Sequence, residues 1–456
     1  TVLKGDLADM LVQIALQVYR KYVTVDKKGT PILYVKLQKA LYGLMRASLL
    51  FYTKLRKELE DYGFEINPYD PSIANKMTTS QKQMTLVWHV DDLMGSCEDD
   101  FELTKLSCYL AKIYGPKLTM HTGRKHDYLG VDMEFRKDGT LGVSMIPYLK
   151  NVIAEFSEII SGKSPTPAAD HLFKIRDAKD TKPLEEERAL AFHHTVTQLL
   201  FMATKVRRDI KTVVAFLTTR VKNPDEDDWG KLKRVLKYLN GTKYLKLNLS
   251  VDNLGVLKWF VDGSHNVHWD CKGHGGALFT MGKGATSSYS RKVKLNTRSS
   301  TETELVTADM YMPEMLRTLY FLQSQGYEAE CIGLYHNNTS TQLLMKNGRF
   351  SSGKKTEHIK AKFFFIKDRV DNGEIKVNDC PTEEMWADIM TKPLQGTAFR
   401  VMRAELMNCP VNYEDPEEDG GNSGAVDIKQ RPISAGRTVT WKCTVPAPSK
   451  TPQECV

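Results

Sequence analysis

Several features are scarce or missing in this sequence of 456 residues, and each absence narrows the possible classes of protein. No apolar run approaches the roughly 18 consecutive residues of a membrane-spanning helix, and no signal peptide opens the chain. We therefore expect no membrane association. The eight cysteines are scattered, with no Cys-x-x-Cys pair, which predicts reduced thiols in an intracellular protein. They are Cys97, Cys108, Cys271, Cys331, Cys380, Cys409, Cys443 and Cys455.

Length and charge set looser bounds on what the chain can be. The length predicts two or three domains, and a hydrophobic content of 41% is enough for buried cores. Lysine and arginine number 64 against 56 aspartates and glutamates, a formal net charge of +8. This mild basic excess is consistent with a polyanionic partner, although many unrelated proteins share it.

Two adjacent aspartates, Asp91 and Asp92, follow the apolar run of residues 84–88. Burying a carboxylate is costly unless it is paired or binds a metal, so a strand ending on two of them suggests a cation. Mg²⁺ prefers oxygen ligands from one or two carboxylates together with substrate phosphates. The alternative is that these residues only close a hairpin, because Asp is common in turns. Taken alone, the pair favours the turn.

The order of predicted elements indicates an α/β and α+β multidomain protein. Residues 48–62 have the apolar spacing of a helix that ends at Gly63. Residues 84–90 and 128–135 are predicted strands. Residues 251–408 alternate short strands with helices, separated by glycine turns. Five segments follow from these patterns and from the resemblance described below: a first domain at 1–160, a linker at 161–185, a helical region at 186–250, a mixed domain at 251–408, and a disordered tail at 409–456 that is first acidic and then rich in Pro, Ser and Thr.

Two further patterns allow a functional and a structural interpretation. Trp229, Leu232, Leu236 and Leu239 form an apolar stripe, and the lysines beside it are either a solvated helix face or a surface that follows phosphates. We favour the solvated face. His265, His268, Cys271 and His274 recur at three-residue spacing, but known tetrahedral zinc sites combine two separated pairs, so zinc is the less favoured interpretation.

Short motifs in a fixed order resemble the Pol polyprotein of copia-type retrotransposons. Its reverse transcriptase is matched by residues 39–44 (KALYGL), 89–92 (HVDD) and 128–130 (YLG), its connecting segment by 238–243 (YLNGTK), and its RNase H domain by 299–305 (SSTETEL) and 387–394 (ADIMTKPL). The resemblance covers about residues 1–408 and leaves the tail outside.

The resemblance implies a partial polymerase palm, a helical connection and an RNase H-like mixed sheet with helices. The implied activities are RNA-directed DNA polymerase and ribonuclease H, each using two Mg²⁺ ions. The implied partners are an RNA template, a DNA primer, dNTPs and the RNA–DNA hybrid. The implied location is a cytoplasmic virus-like particle, and also the nucleus.

Site residues follow from the same resemblance. Asp91 is the expected Mg²⁺ ligand of the palm and Asp92 a secondary one. Asp262, Glu304 and Asp388 match the first, second and last RNase H carboxylates and are expected to bind metal. No other cofactor is expected.

Two departures from the family pattern predict weak or absent activity in this chain. The first palm aspartate of the family would lie ahead of Thr1. The third RNase H carboxylate is replaced by Asn337, and a neutral amide is a much poorer Mg²⁺ ligand than a carboxylate. The alternative function is therefore a non-catalytic remnant of a decayed element that binds RNA–DNA duplex.

Overall fold

The structure, a computed structural model, describes residues 2–36, 45–177, 179–351, 359, 361–416 and 437–443. These residues divide into two compact units. Unit 1 lies within residues 1–66, 72–121 and 438–456, and unit 2 within residues 67–71 and 122–437. The first boundary therefore falls near residue 121, earlier than the predicted one at 160. The reason is strand pairing, since residues 141–143 pair with residues 247–249 in one sheet and so join the later part of the chain.

The first part of the chain mixes helices with short strands, as the sequence predicts. Its elements in chain order are β1 (Val2–Lys4), α1 (Asp6–Ile14), α2 (Leu16–Tyr19), β2 (Val23–Val25), β3 (Pro31–Tyr34), α3 (Met45–Asp61), β4 (Glu65–Asn67), β5 (Asp70–Met77), β6 (Gln83–His89), β7 (Asp92–Cys97), α4 (Asp100–Tyr114) and β8 (Leu118–Gly123).

Helix α3 corresponds to the helix predicted at residues 48–62. Leu55 and Leu59 are completely buried on its inner face, one turn apart, which is the spacing that the prediction used. Gly63 follows the helix with a φ of +94°, a conformation that glycine adopts without steric cost. The motif at residues 39–44 lies outside the described residues.

Unit 2 contains the remaining helices and most of the remaining strands. They are β9 (Lys125–Tyr128), β10 (Val131–Phe135), β11 (Leu141–Ser144), α5 (Ile146–Glu155), α6 (Glu186–Lys205), α7 (Lys211–Thr218), α8 (Glu226–Asn240), β12 (Leu247–Val251), β13 (Val256–Ser264), β14 (His274–Thr280), β15 (Gly282–Lys283), β16 (Ser287–Lys292), α9 (Ser300–Ser324), β17 (Cys331–His336), α10 (Thr339–Asn347), α11 (Phe365–Asp371), β18 (Ile375–Asp379), α12 (Asp388–Thr391) and α13 (Gly396–Met407).

One mixed sheet of unit 2 has the strand order β16-β14-β13-β17-β18. Strands β13, β17 and β18 run parallel, while β14 and β16 are antiparallel to their neighbours. The parallel strands are covered by α9 and α10, whose apolar residues share one core with Trp259, Ile332 and Val377 of the sheet. The predicted multidomain α/β class is confirmed.

Helices α6, α7 and α8 occupy the region predicted to be helical, and the predicted stripe of α8 is buried. The preceding segment at 161–185 has an irregular backbone, as expected of a linker. It does not behave as a solvated one, because Leu172 and Phe173 are buried in the same core as α8. Beside the stripe, Lys233 pairs with Glu158 at 2.9 Å, so this lysine has an internal partner.

The tail predicted to be disordered contains a strand, β19 (Arg437–Cys443). It lies between β7 and β8 in a sheet of order β4-β5-β6-β7-β19-β8. Trp441 is 1% exposed, and its ring fills the space over Gly95, where an added Cβ would lie 2.7 Å from the ring. The Trp441 Nε1–H donates to Ser107 Oγ at 3.2 Å. Residues of alternating polarity, Thr-Val-Thr-Trp-Lys, explain why this part of a polar tail can form a strand.

A buried ion pair fixes the connection between α6 and α7. The Arg207 guanidinium donates to both carboxylate oxygens of Asp209, at 3.0 and 2.7 Å, and Tyr238 donates to the same carboxylate at 2.6 Å. Burial alone would raise the pKa of Asp209, yet the Arg207 charge and these hydrogen bonds hold that pKa below its ordinary value. The three side chains are thus mutually compensated.

Replacing Asp209 with Asn is expected to lower the free energy of unfolding of unit 2 by about 3–5 kcal/mol, because it leaves the Arg207 charge buried without its counterion. The parent should also lose stability in acid. A depressed folded-state pKa gives stability that is complete above the unfolded-state pKa and disappears as the pH falls through the folded-state value. Denaturant unfolding across the acid range measures both effects. The exposed control Asp180→Asn should match the parent, and equal curves for Asp209→Asn would contradict the expectation.

Candidate metal and nucleic-acid site

Two of the predicted carboxylates lie together at β13, the central strand of the mixed sheet of unit 2. Asp262 lies near the end of β13 and is 3% exposed, and Asp388 begins α12 and is 7% exposed. The Thr391 hydroxyl donates a hydrogen bond to Asp262, which ties the helix that presents Asp388 to the strand that presents Asp262. Burial, and then the Asp262 charge, raise the pKa of Asp388 to about 6. Two buried carboxylates so close together favour a cation beside them.

Lys392 supplies a cation to this pair. Its Nζ lies 2.7 Å from Asp388 Oδ1 and 3.5 Å from Asp262 Oδ2. Burial would lower the pKa of Lys392, but the two carboxylates raise it above its ordinary value. The ammonium therefore neutralises part of the negative charge of the pair.

Glu304 lies on α9 and belongs to the same electrostatic environment. Burial and then the Asp262 charge raise the pKa of Glu304 to about 7, while hydrogen bonds from Thr341 and Asn338 act in the opposite direction. The Thr341 hydroxyl donates to Glu304 Oε2 at 2.7 Å. A Cβ added at Gly263, next to Asp262, would lie 3.1 Å from the Glu304 Cα, so the structure brings the three predicted carboxylates into one region.

Asn337 follows the last residue of β17 directly. Strands β13 and β17 are parallel, with Phe260 paired to Tyr335. Asp262 and Asn337 each lie two residues beyond that pair, so both reach the same edge of the sheet. Sequence and topology thus place the amide of Asn337 level with the Asp262 carboxylate on the neighbouring strand.

The structure adds residues that the sequence analysis did not single out for this site. Thr391 and Lys392 lie inside the motif at 387–394, so that motif was a signal for them. Thr341 and His336 carried no recognisable signal. His336 is completely buried, its Nδ1 accepts from the Asn338 backbone N–H at 3.1 Å, and its Nε2 lies 3.7 Å from Glu304 Oε2.

Two of the histidines with three-residue spacing, His268 and His274, bond to one another, whereas His265 lies against Thr297 and Thr303. His268 Nε2 and His274 Nδ1 are 2.9 Å apart, and His274 Nε2 lies 2.7 Å from Ser290 Oγ. Ser290 in turn donates to the Met390 carbonyl at 2.7 Å. Burial lowers the pKa of His274 to about 3 and that of His268 to about 4, so both rings are neutral. This chain of hydrogen bonds anchors the backbone of α12 next to Asp388.

The donor chemistry of this region suits a hard divalent cation, because carboxylate oxygens are the ligands that Mg²⁺ prefers. Within the described ranges, no group of three or more His, Cys, Asp or Glu side chains is arranged to hold a metal ion. The carboxylates are paired instead with the Lys392 ammonium and the Thr341 hydroxyl.

In unit 1, the predicted palm aspartates lie at a hairpin. His89 of β6 pairs with Asp92 of β7, which leaves Val90 and Asp91 as a two-residue turn. Val90 has a φ of +53°, an unusual conformation for a β-branched residue. Asp92 Oδ1 lies 3.4 Å from Lys442 Nζ on β19. Asp91 thus lies in the turn and Asp92 begins β7, and both carboxylates are half-buried.

Comparison with known proteins adds three findings. The family described as reverse transcriptase (RNA-dependent DNA polymerase) matches residues 10–168. The retrovirus-related Pol polyprotein from transposon TNT 1-94 of Nicotiana tabacum is 28% identical over 83% of this chain and 28% of its own length. That from transposon RE1 of Arabidopsis thaliana is 28% identical over 83% of this chain and 25% of its own length. The chain thus spans only about a quarter of these relatives.

A shorter relative and a solved structure complete the comparison. The putative transposon Ty5-1 protein YCL074W of Saccharomyces cerevisiae is 27% identical over 61% of this chain and 89% of its own length. A crystal structure of prototype foamy virus protease-reverse transcriptase aligns with 80% of this chain and 41% of that chain, at 12% identity and a TM-score of 0.23. Separately, in the part of the chain that the structure describes, no helix has the length and apolarity to cross a membrane.

Proposed function

We propose, starting from the confirmed relationship of this chain to copia-type retrotransposon Pol proteins, that it is the reverse transcriptase and RNase H portion of such a protein. It extends a DNA primer on an RNA template with dNTPs and degrades the RNA strand of the resulting hybrid. Its sites of action are the cytoplasmic virus-like particle and the nucleus. No membrane takes part.

One observation carries the nuclease part of this proposal. Asp262, Glu304 and Asp388 come from a strand and two helices that are distant in sequence, yet they meet in one buried region, with Asn337 at the same sheet edge. A fold has little reason to gather three buried carboxylates, one of which raises the pKa of the other two, since each burial costs free energy. A cation and a phosphate substrate supply such a reason.

Mg²⁺ is the cofactor that these donors fit. Asp262 and Asp388 would hold it in place of the Lys392 ammonium, with Glu304 of α9 nearby. A bound ion would supply activation of a water molecule and stabilisation of the leaving oxygen of the cleaved phosphodiester. The residues of this chain position the ion, and Thr391 and the Ser290–Met390 contact fix the orientation of α12.

Activity in this copy is impaired by one substitution. The neutral Asn337 lowers the negative charge available to two cations, and we therefore place cleavage far below that of a site with four carboxylates. Asp91 and Asp92 are the carboxylates offered by the polymerase part. Asn337 is also the observation that favours the second candidate function, a non-catalytic protein that binds RNA–DNA duplex.

Metal binding can be tested without activity. Mg²⁺ is expected to raise the thermal unfolding midpoint of the full chain, and free Mg²⁺ at about a hundred times its dissociation constant adds about 2.7 kcal/mol of stability. The double variant Asp262→Asn/Asp388→Asn should lose this response, while the exposed pair Glu328→Gln/Glu330→Gln should retain it. An equal response in the Asp262→Asn/Asp388→Asn variant would refute the assignment of these carboxylates to the metal.

A further inference from the structure

Three cations gather where α7 begins against β16. Arg208 and Lys211 are 8% and 9% exposed, and Arg291 on the neighbouring strand is exposed. Burial, together with the positive charges of Arg208 and Arg291, lowers the pKa of Lys211 to about 8. Burial likewise lowers the pKa of Arg208 to about 10.

No carboxylate compensates this charge. Among the residues that the structure describes, none of the three cations forms an ion pair. Arg208 donates to the backbone carbonyls of Thr204 and Thr286, the latter at 2.9 Å, and its buried Nε has no partner within the described part of the chain. Lys211 Nζ donates to the Thr204 hydroxyl at 2.6 Å. Arg207, one residue away, differs from these cations because it is fully paired with Asp209.

The position of Lys211 at the start of α7 makes the burial of its positive charge still less favourable. Lys211 is the first residue of α7, and the amino-terminal end of a helix carries partial positive charge that favours anions. A buried ammonium at that end adds to the unpaired charge instead of offsetting it.

The cations flank the segment that presents Asp388. Thr212, the neighbour of Lys211, donates to the Ile389 carbonyl at 2.5 Å. Ser290, the neighbour of Arg291, donates to the Met390 carbonyl at 2.7 Å. The two bonds hold the same short helix, α12. The three cations and the carboxylate region are therefore joined through three residues of backbone.

We propose that Arg208, Lys211 and Arg291 form a binding site for a phosphate group, supplied by the backbone of the nucleic-acid strand that lies across the carboxylate region. That the phosphate comes from a nucleic-acid strand rests on the proposed function. The anion site itself does not require cleavage. The bound phosphate compensates the buried charge of Arg208 and Lys211. It also sets the position of the strand relative to Asp388.

A buried unpaired charge that serves binding should lower the stability of the protein without its ligand. Removing that charge should therefore raise stability and weaken binding. We expect Lys211→Met in the full chain to raise the thermal unfolding midpoint, because it removes a buried cation without a counterion. The same variant should bind a labelled RNA–DNA hybrid more weakly. The slope of log affinity against log salt should become shallower by about 0.9, the value of one lost phosphate contact.

Two further variants and one small anion complete the design. Arg291→Met is exposed and should fold normally, with the same change of slope. Lys222 is exposed and follows α7. The control variant Lys222→Met should leave the midpoint unchanged, and it should alter the slope only by the small amount expected from removing any surface charge. Inorganic phosphate should raise the midpoint of the parent but not that of Lys211→Met.

Each other outcome overturns the proposal or part of it. If phosphate stabilises the parent while the hybrid slope is unchanged in Lys211→Met and Arg291→Met, the nucleic-acid source is wrong. If neither ligand distinguishes these variants from the parent, the cations are structural. The metal-binding test could fail while the slope of hybrid affinity against salt still becomes shallower in the variants. That result would reject the nuclease assignment but not the anion site.

Discussion

Asn337→Asp is expected to raise cleavage of a labelled RNA–DNA hybrid by roughly 10²- to 10³-fold over the parent chain in Mg²⁺, the size typical of one preorganised electrostatic group at a reacting centre. The change restores a carboxylate at the end of β17, level with Asp262 on β13. It adds a negative charge where cations must be held and alters the side-chain shape very little. Release of labelled RNA fragments over time measures it.

Matched variants separate this effect from a general gain of charge. Asn347→Asp makes the same chemical change at the exposed end of α10 and should cleave at the parent rate. Adding Asp388→Asn to Asn337→Asp should return the rate to the parent level, because the two carboxylates act on the same ions. A variant Asn337→Asp no faster than the parent would show that Asn337 does not occupy a ligand position.

Trp441→Ala is expected to destabilise the sheet of unit 1 by about 3–5 kcal/mol, the range for removing a fully buried tryptophan. Its ring covers Gly95, and both are enclosed in a core with Leu86 and Val439. Without the ring, β19 loses its anchor between β7 and β8, and their backbone amides become accessible. Hydrogen exchange resolved to the peptides of β7 and β8 measures the loss of protection.

The control for this experiment is another tryptophan. Trp269 is 67% exposed, and Trp269→Ala should leave exchange in β7 and β8 unchanged. Lys442→Ala should have little effect, since an ion pair to Asp92 from a side chain that is 60% exposed contributes less than about 1 kcal/mol. Parent-like exchange in Trp441→Ala would mean that residues 437–443 do not pair with β7 in solution.

The two experiments examine different parts of the chain and can fail independently. The first asks whether a site assembled by the mixed sheet of unit 2 has kept its chemistry. The second asks whether the C-terminal strand, which lies outside the copia-type motifs, is part of the fold next to Asp91 and Asp92. A positive second result would mean that the sheet of unit 1 needs residues 437–443 for its stability.

The sequence by itself determined the features that depend on local pattern. The apolar spacing of α3 and α8 predicted those helices, because one buried stripe at helical period is decided within a dozen residues. The motifs at 299–305 and 387–394 predicted Glu304 and Asp388 as site residues, and the amide at Asn337 is a property of the sequence alone. Residue type and order were sufficient for each of these.

Only the tertiary structure decided which side chains share an environment. The hydrogen bond from Thr391 to Asp262 and the Lys392 bridge join residues about 130 positions apart, a relation set by packing and not by local pattern. The strand at 437–443 was hidden because a short alternating segment in a polar tail becomes a strand only where a sheet offers it two partners and a space for Trp441. Likewise, the charge at Lys211 looked ordinary in the sequence, and burial without a counterion gave it significance.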